Sequence, residues 1–95
     1  MNVQINFVNL STVDQLNHFV KKNIKKLFLV TNSLISADIY LKIDKPKSHN
    51  NKVVEIKLHS KLGIFFAKKN TNTFEESIVL VSKALRKQII KNKKK

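Results

Sequence analysis

Cysteine is absent from this chain, so there is no disulfide frame, no thiolate nucleophile and no cysteine-ligated zinc. That suits a reducing compartment, and a cytoplasmic location is the expectation. Glycine and proline occur once each, at Gly63 and Pro46. A phosphate-cradling glycine loop and a dinucleotide fingerprint both need several glycines, so both are excluded. The three histidines, His18, His49 and His59, fall on different segments with no metal-ligand spacing. Acids number only six. Their one adjacent pair, Glu75-Glu76, is explained by its place at a helix start, and no nucleophile stands beside a base. The reading is a protein that is not an enzyme, with no cofactor and no metal. No apolar run is long enough to span a bilayer. Met1 to Asn9 lacks the basic start and apolar run of a signal peptide.

What is present is positive charge. Nineteen basic side chains against six acidic ones give a net charge of +13. A field of that size attracts polyanions, nucleic acid first among them. The use of 18 Lys to one Arg is what an AT-rich genome produces without selection for binding. Codon bias does not explain the scarcity of acids. At 95 residues the chain is one domain, 1–95, with a basic tail at about 92–95. At this size a core buries roughly 60–70% of the unfolded surface. The apolar fraction of 42% suits a globular fold.

The rest is organised around the last quarter, Thr73 to Lys95, which reads as one helix. Thr73-Phe74-Glu75-Glu76 forms a capping box, the Thr hydroxyl taking the Glu76 amide and the Glu carboxylate reaching back. Phe74, Ile78, Val81, Leu85 and Ile89 make an apolar stripe. Lys83, Arg86, Lys87, Lys91 and the lysines that follow give the second half a cationic edge with no acid. Upstream, Val3, Ile5 and Phe7 alternate with polar residues as a strand does. A helix starting around Ser11-Thr12-Val13-Asp14 runs to about Phe28, with Val13, Leu16, Val20, Ile24 and Leu27 as its stripe. Lys21, Lys22, Lys25 and Lys26 cluster late in that helix, either as complements of the helix dipole or as a binding surface. Ala37 to Ile43, Val54 to Leu58, and Leu62, Ile64 and Phe66 supply three more strands, with a loop over 45–51.

The order β-α-β-β-β-α predicts an α+β fold, a two-layer sandwich. A four-stranded sheet carries both helices on one face, and the three later strands form a meander. The predicted core comprises Ile5, Leu16, Val20, Leu27, Ile39, Leu41, Ile56, Ile64, Phe74, Ile78, Val81 and Leu85. The alternation leaves Tyr40 and Phe65 on the wet face, where aromatics either pack across strands or stack on bases. One functional reading is a free-standing double-stranded-RNA-binding module, a dsRBD-like fold with a basic final helix; those domains lack a strand before the first helix. Another is a basic protein-interaction or regulatory module with an acidic partner.

The element order, the strand Ile39-Tyr40-Leu41-Lys42-Ile43-Asp44-Lys45 and the final helix resemble the short ribosome hibernation-promoting factors, relatives of protein Y. The strand is similar to the family's Val-x-Leu-Lys-Val-Glu-Lys, and Lys26-Leu27 to its Lys-Leu pair late in the first helix. Asn72-Thr73-Phe74 stands where the family opens its last helix with Asp-Met-Tyr, and Ser82 where it usually has an acid before Lys83. The resemblance covers nearly the whole chain. It implies a translation inhibitor that occupies the mRNA and tRNA channel of the small ribosomal subunit during stress or stationary phase. The extra C-terminal domain of the family's long forms has no room in 95 residues. Some bacteria pair a short form with a separate ribosome-dimerising factor, and off the ribosome a monomer is expected. The residues expected to meet rRNA phosphates are Lys22, Lys26, Lys83, Arg86, Lys87 and Lys91. Lys42, Lys45, Lys57 and Lys61 are secondary candidates.

Overall fold

The structure, a computed structural model, describes residues 2–45 and 50–93. Its elements are β1 (Asn2–Val8), α1 (Asp14–Val30), β2 (Leu34–Ile43), β3 (Lys52–Ser60), β4 (Gly63–Thr71) and α2 (Phe74–Lys93). This is the expected β-α-β-β-β-α order. The strands lie side by side as β1-β2-β3-β4. β1 pairs parallel to β2, in register from Asn2 opposite Ser36 to Val8 opposite Lys42. A parallel pair needs a crossover, and α1 supplies it. β2, β3 and β4 then form an antiparallel meander.

One core holds the two layers together. Val20, Ile24 and Leu27 from α1 and Ile78, Val81, Leu85 and Ile89 from α2 are buried in a single cluster. The same cluster takes Ala37, Ile39 and Leu41 from β2 and Val54, Ile56 and Leu58 from β3. Alternate residues of β2 and β3 therefore meet the helices, which both cover one sheet face; the other face is open except at Val53, which is buried. Ile5, Leu16 and Phe74 pack against the core but are only half-buried. No described helix is long and apolar enough to cross a membrane.

The local reading of the sequence needs three corrections. Val13 is the residue before α1 and is 43% exposed, so the buried stripe begins later. The capping box at α2 is half formed. The Glu76 amide donates to Thr73 Oγ1 at 3.1 Å as expected. The Thr73 amide, however, donates to Thr71 Oγ1 at 3.3 Å, so the return partner is a threonine on the preceding strand.

The third correction is β4, whose two faces are exchanged. Ile64 is 60% exposed and Phe66 48% exposed, whereas Phe65 and Ala67 each retain only 8% exposure, in the core. Leu62 lies in the turn, also exposed. The cause is the β3–β4 hairpin, whose pairing closes with Ser60 opposite Gly63 and leaves only Lys61-Leu62 between them. Ser60 Oγ accepts the Leu62 amide at 3.0 Å and donates to the Gly63 carbonyl at 2.7 Å. Gly63 adopts φ +127, a conformation open to glycine and strained for other residues. That turn sets the register, so inward-facing Leu58 lies opposite Phe65. The helix ends differ by smaller margins: α1 runs on to Val30, and α2 is described to Lys93, with 94 and 95 outside the described residues. Pro46, Lys47, Ser48 and His49 of the predicted loop also lie outside them.

Candidate nucleic-acid interface

The helices run side by side in the same direction. Val13 and the start of α1 as far as Phe19 lie near Glu75 at the start of α2, and Phe19 to Val30 flanks Val79 to Arg86. The second half of α1 and the middle of α2 thus flank a groove of about 510 Å³. Lys22 and Lys26, one turn apart on α1, line one wall; Lys83 and Arg86 on α2 line the other. Four of the six predicted contact residues therefore meet at one place although about 60 positions separate them in sequence. All four are exposed. Lys87 and Lys91 lie outside the groove, exposed on α2, and with Lys83 follow the i, i+4 row along that helix. Lys21 and Lys25 face the β1 side, beside Val3, in a cleft that Lys22 also lines.

Among the described residues no carboxylate lies within salt-bridge distance of any of the six; the pairs found are Lys42–Glu55 and His59–Asp38. The helix acids, Asp14, Glu75 and Glu76, all sit in first turns. The dipole account of the α1 lysines weakens on the same geometry. The last turn of α1 carries no basic residue, and a dipole acts mainly within that turn. Lys22 and Lys26 stand earlier, where the dipole gains little from them.

The open sheet face is different. Lys42 Nζ lies 2.9 Å from Glu55 Oε2, and His59 Nε2 lies 3.1 Å from Asp38 Oδ2. Lys68 is in register with Glu55, and Lys57 with Asp38. Lys45 and Lys61 are exposed at the strand ends. Tyr40 is exposed as expected, and Phe66, not Phe65, is the second aromatic on this face. Among the described residues no three His, Asp or Glu side chains gather as metal ligands.

Sequence reasoning missed the groove itself. Its floor is Phe19, Leu27, Val30 and Val79, with Ser82 among the lining residues. Phe19 and Val79 stand off the two stripes, and only the packing of α1 beside α2 brings them together. In the sequence Ser82 is marked only as a departure from the acid the family usually has there; in the structure its Oγ is buried with no hydrogen-bond partner.

This architecture is found in other proteins. A ribosomal subunit interface protein from Coxiella burnetii superposes with a TM-score of 0.84 at 18% identity, over 100% of both chains. The protein Y N-terminal domain from Thermus thermophilus gives 0.80 at 19% identity, over 94% of this chain and 96% of that one. At such identities the likeness is one of fold. No curated protein matches in sequence. Residues 3–95, nearly the whole chain, match the family described as Sigma 54 modulation protein / S30EA ribosomal protein, and the chain belongs to that family.

Proposed function

We propose that this protein is a ribosome hibernation factor: it binds small-subunit rRNA in the mRNA and tRNA channel and inhibits translation under stress or in stationary phase. Family membership supports the ribosome as partner. The names of its structural neighbours, a subunit interface protein and protein Y, point the same way. The observation that carries the reading is the acid-free set Lys22, Lys26, Lys83, Arg86, Lys87 and Lys91 on one pair of helices, fixed by the core beneath. Phosphate contacts from such residues position a protein without reading sequence. The mechanism is steric: a rigid cationic wedge fills a channel that mRNA and tRNA would otherwise occupy, and no bond is made or broken. Action in the cytoplasm, as a monomer off the ribosome and beside a separate dimerising factor where one exists, completes the proposal.

The test is a cell-free translation assay. Added protein inhibits initiation, and excess mRNA with initiator tRNA competes with it for small subunits. Tight binding to subunits already filled with mRNA and tRNAs, displacing none of them, would rule out occlusion.

A further inference from the structure

The groove between α1 and α2 is built for more than charge. Simple phosphate contact needs cations on a surface; it gains nothing from an apolar floor. Here Phe19, Leu27, Val30 and Val79 line the depth of the groove, and Lys22, Lys26, Lys83 and Arg86 stand around it. Small-molecule pockets pair an apolar lining with a few placed polar groups.

Ser82 is the second observation. Its side chain is nine-tenths buried in the groove wall, and Oγ has no hydrogen-bond partner. Buried hydroxyls are rarely left that way. Ser77, five residues earlier on the same helix, shows the ordinary outcome: its Oγ donates to the Lys52 carbonyl at 2.7 Å and lies 2.9 Å from Thr71 Oγ1. Asn23, also lining the groove, is held by its Nδ2 bond to the Phe19 carbonyl at 2.9 Å, which leaves its Oδ1 as an acceptor.

We infer that this groove is a nucleotide pocket. A nucleobase lies on the apolar floor against Phe19, its 5′-phosphate meets the Lys and Arg side chains of the rim, and Ser82 Oγ, covered in the free protein, bonds to the base edge as the groove side chains part to admit it. An unstacked base on an aromatic ring with polar groups at its edge is a common way of holding RNA. The ligand is either a free nucleotide or a nucleotide splayed out of an RNA strand. The second source rests on the ribosomal reading above; the pocket itself does not.

The experiment titrates the purified full chain, followed by NMR, with each of the four nucleoside 5′-monophosphates and with ribose 5-phosphate, which lacks the base. At least one monophosphate binds saturably, with shifts at Asn23, Val79 and Ser82, and about tenfold or more tighter than ribose 5-phosphate. Ser82→Ala melts at or above the wild-type temperature, since it removes a hydroxyl that bonds to nothing in the free protein, yet it binds that monophosphate about three- to tenfold more weakly. Phe19→Leu weakens binding as well; if it does not fold, Ser82→Ala carries the test. Equal binding of all four monophosphates and ribose 5-phosphate overturns the inference, and so does unchanged affinity in Ser82→Ala. Pelleting with small subunits separates the sources. A parallel loss in Ser82→Ala identifies an RNA nucleotide, and a loss confined to the monophosphate identifies a free one. Wild-type protein that does not pellet would defeat the ribosomal reading and leave the pocket to the titration.

Discussion

The two broad surfaces of this molecule carry lysines to opposite effect. On the open sheet face they are interleaved with acids: Lys42 pairs with Glu55, and Lys57 and Lys68 lie in register with Asp38 and Glu55. On the helical face, Lys22, Lys26, Lys83, Arg86, Lys87 and Lys91 meet no carboxylate among the described residues. Neighbouring cations without counter-ions repel one another, so this arrangement gives the folded chain nothing by itself. It is what a surface awaiting a polyanion looks like. Net charge alone does not distinguish the two faces; the placement of six acids does.

Several measurements sharpen or break that contrast. The largest effect belongs to the two sides of one strand. Phe65→Ala should cost about 3–5 kcal/mol in denaturant unfolding, whereas Phe66→Ala should change stability by only about 0.5 kcal/mol. The reverse order would mean that the covered and open faces of β4 have been misassigned. Leu85→Ala, in the stripe that seats α2 on the sheet, should cost roughly 2–5 kcal/mol. A negligible loss would mean the cationic helix is not anchored as described. Thr73→Ala removes the hydroxyl that holds the Glu76 amide and should cost about 1 kcal/mol. The smallest effects concern the charges themselves. Lys42→Gln should lose about 0.2–1 kcal/mol with its ion pair. Changing Lys22, Lys26, Lys83 and Arg86 together to Gln should leave thermal stability unchanged or slightly higher, because no ion pair is lost. A clear drop in that variant would show that the helix cations serve the fold.

Much of this was legible in the chain. Strong period-2 and period-3.6 patterns gave the six elements, their order and most of the core, because one face of each element is wet. β4 failed for a physical reason. From Leu62 to Ala67 only Gly63 interrupts the apolar run, so alternation says nothing there, and a two-residue turn decides the register instead. The return half of the capping box was lost to Thr71, a competitor from a neighbouring strand that local spacing does not reveal. In the candidate site, the cationic edge of α2 was plain in the sequence. That Lys22 and Lys26 share a groove with Lys83 and Arg86 depends on parallel helix packing, and the unpartnered Ser82 hydroxyl on side-chain geometry. Neither has a sequence signature.

The most direct test of the central claim compares two quadruple variants in small-subunit pelleting across a salt series. One carries Gln at Lys22, Lys26, Lys83 and Arg86 on the helices. The other carries Gln at Lys45, Lys57, Lys61 and Lys68, on the open sheet face and the strand ends beside it. The two remove equal charge. If the helix residues each meet a phosphate, the first variant flattens the slope of log K against log salt by roughly 3 units and loses most of its low-salt affinity. The second keeps a slope close to wild type. Equal flattening in both would contradict the account, and the charge of this protein would then act as a diffuse field with no preferred face.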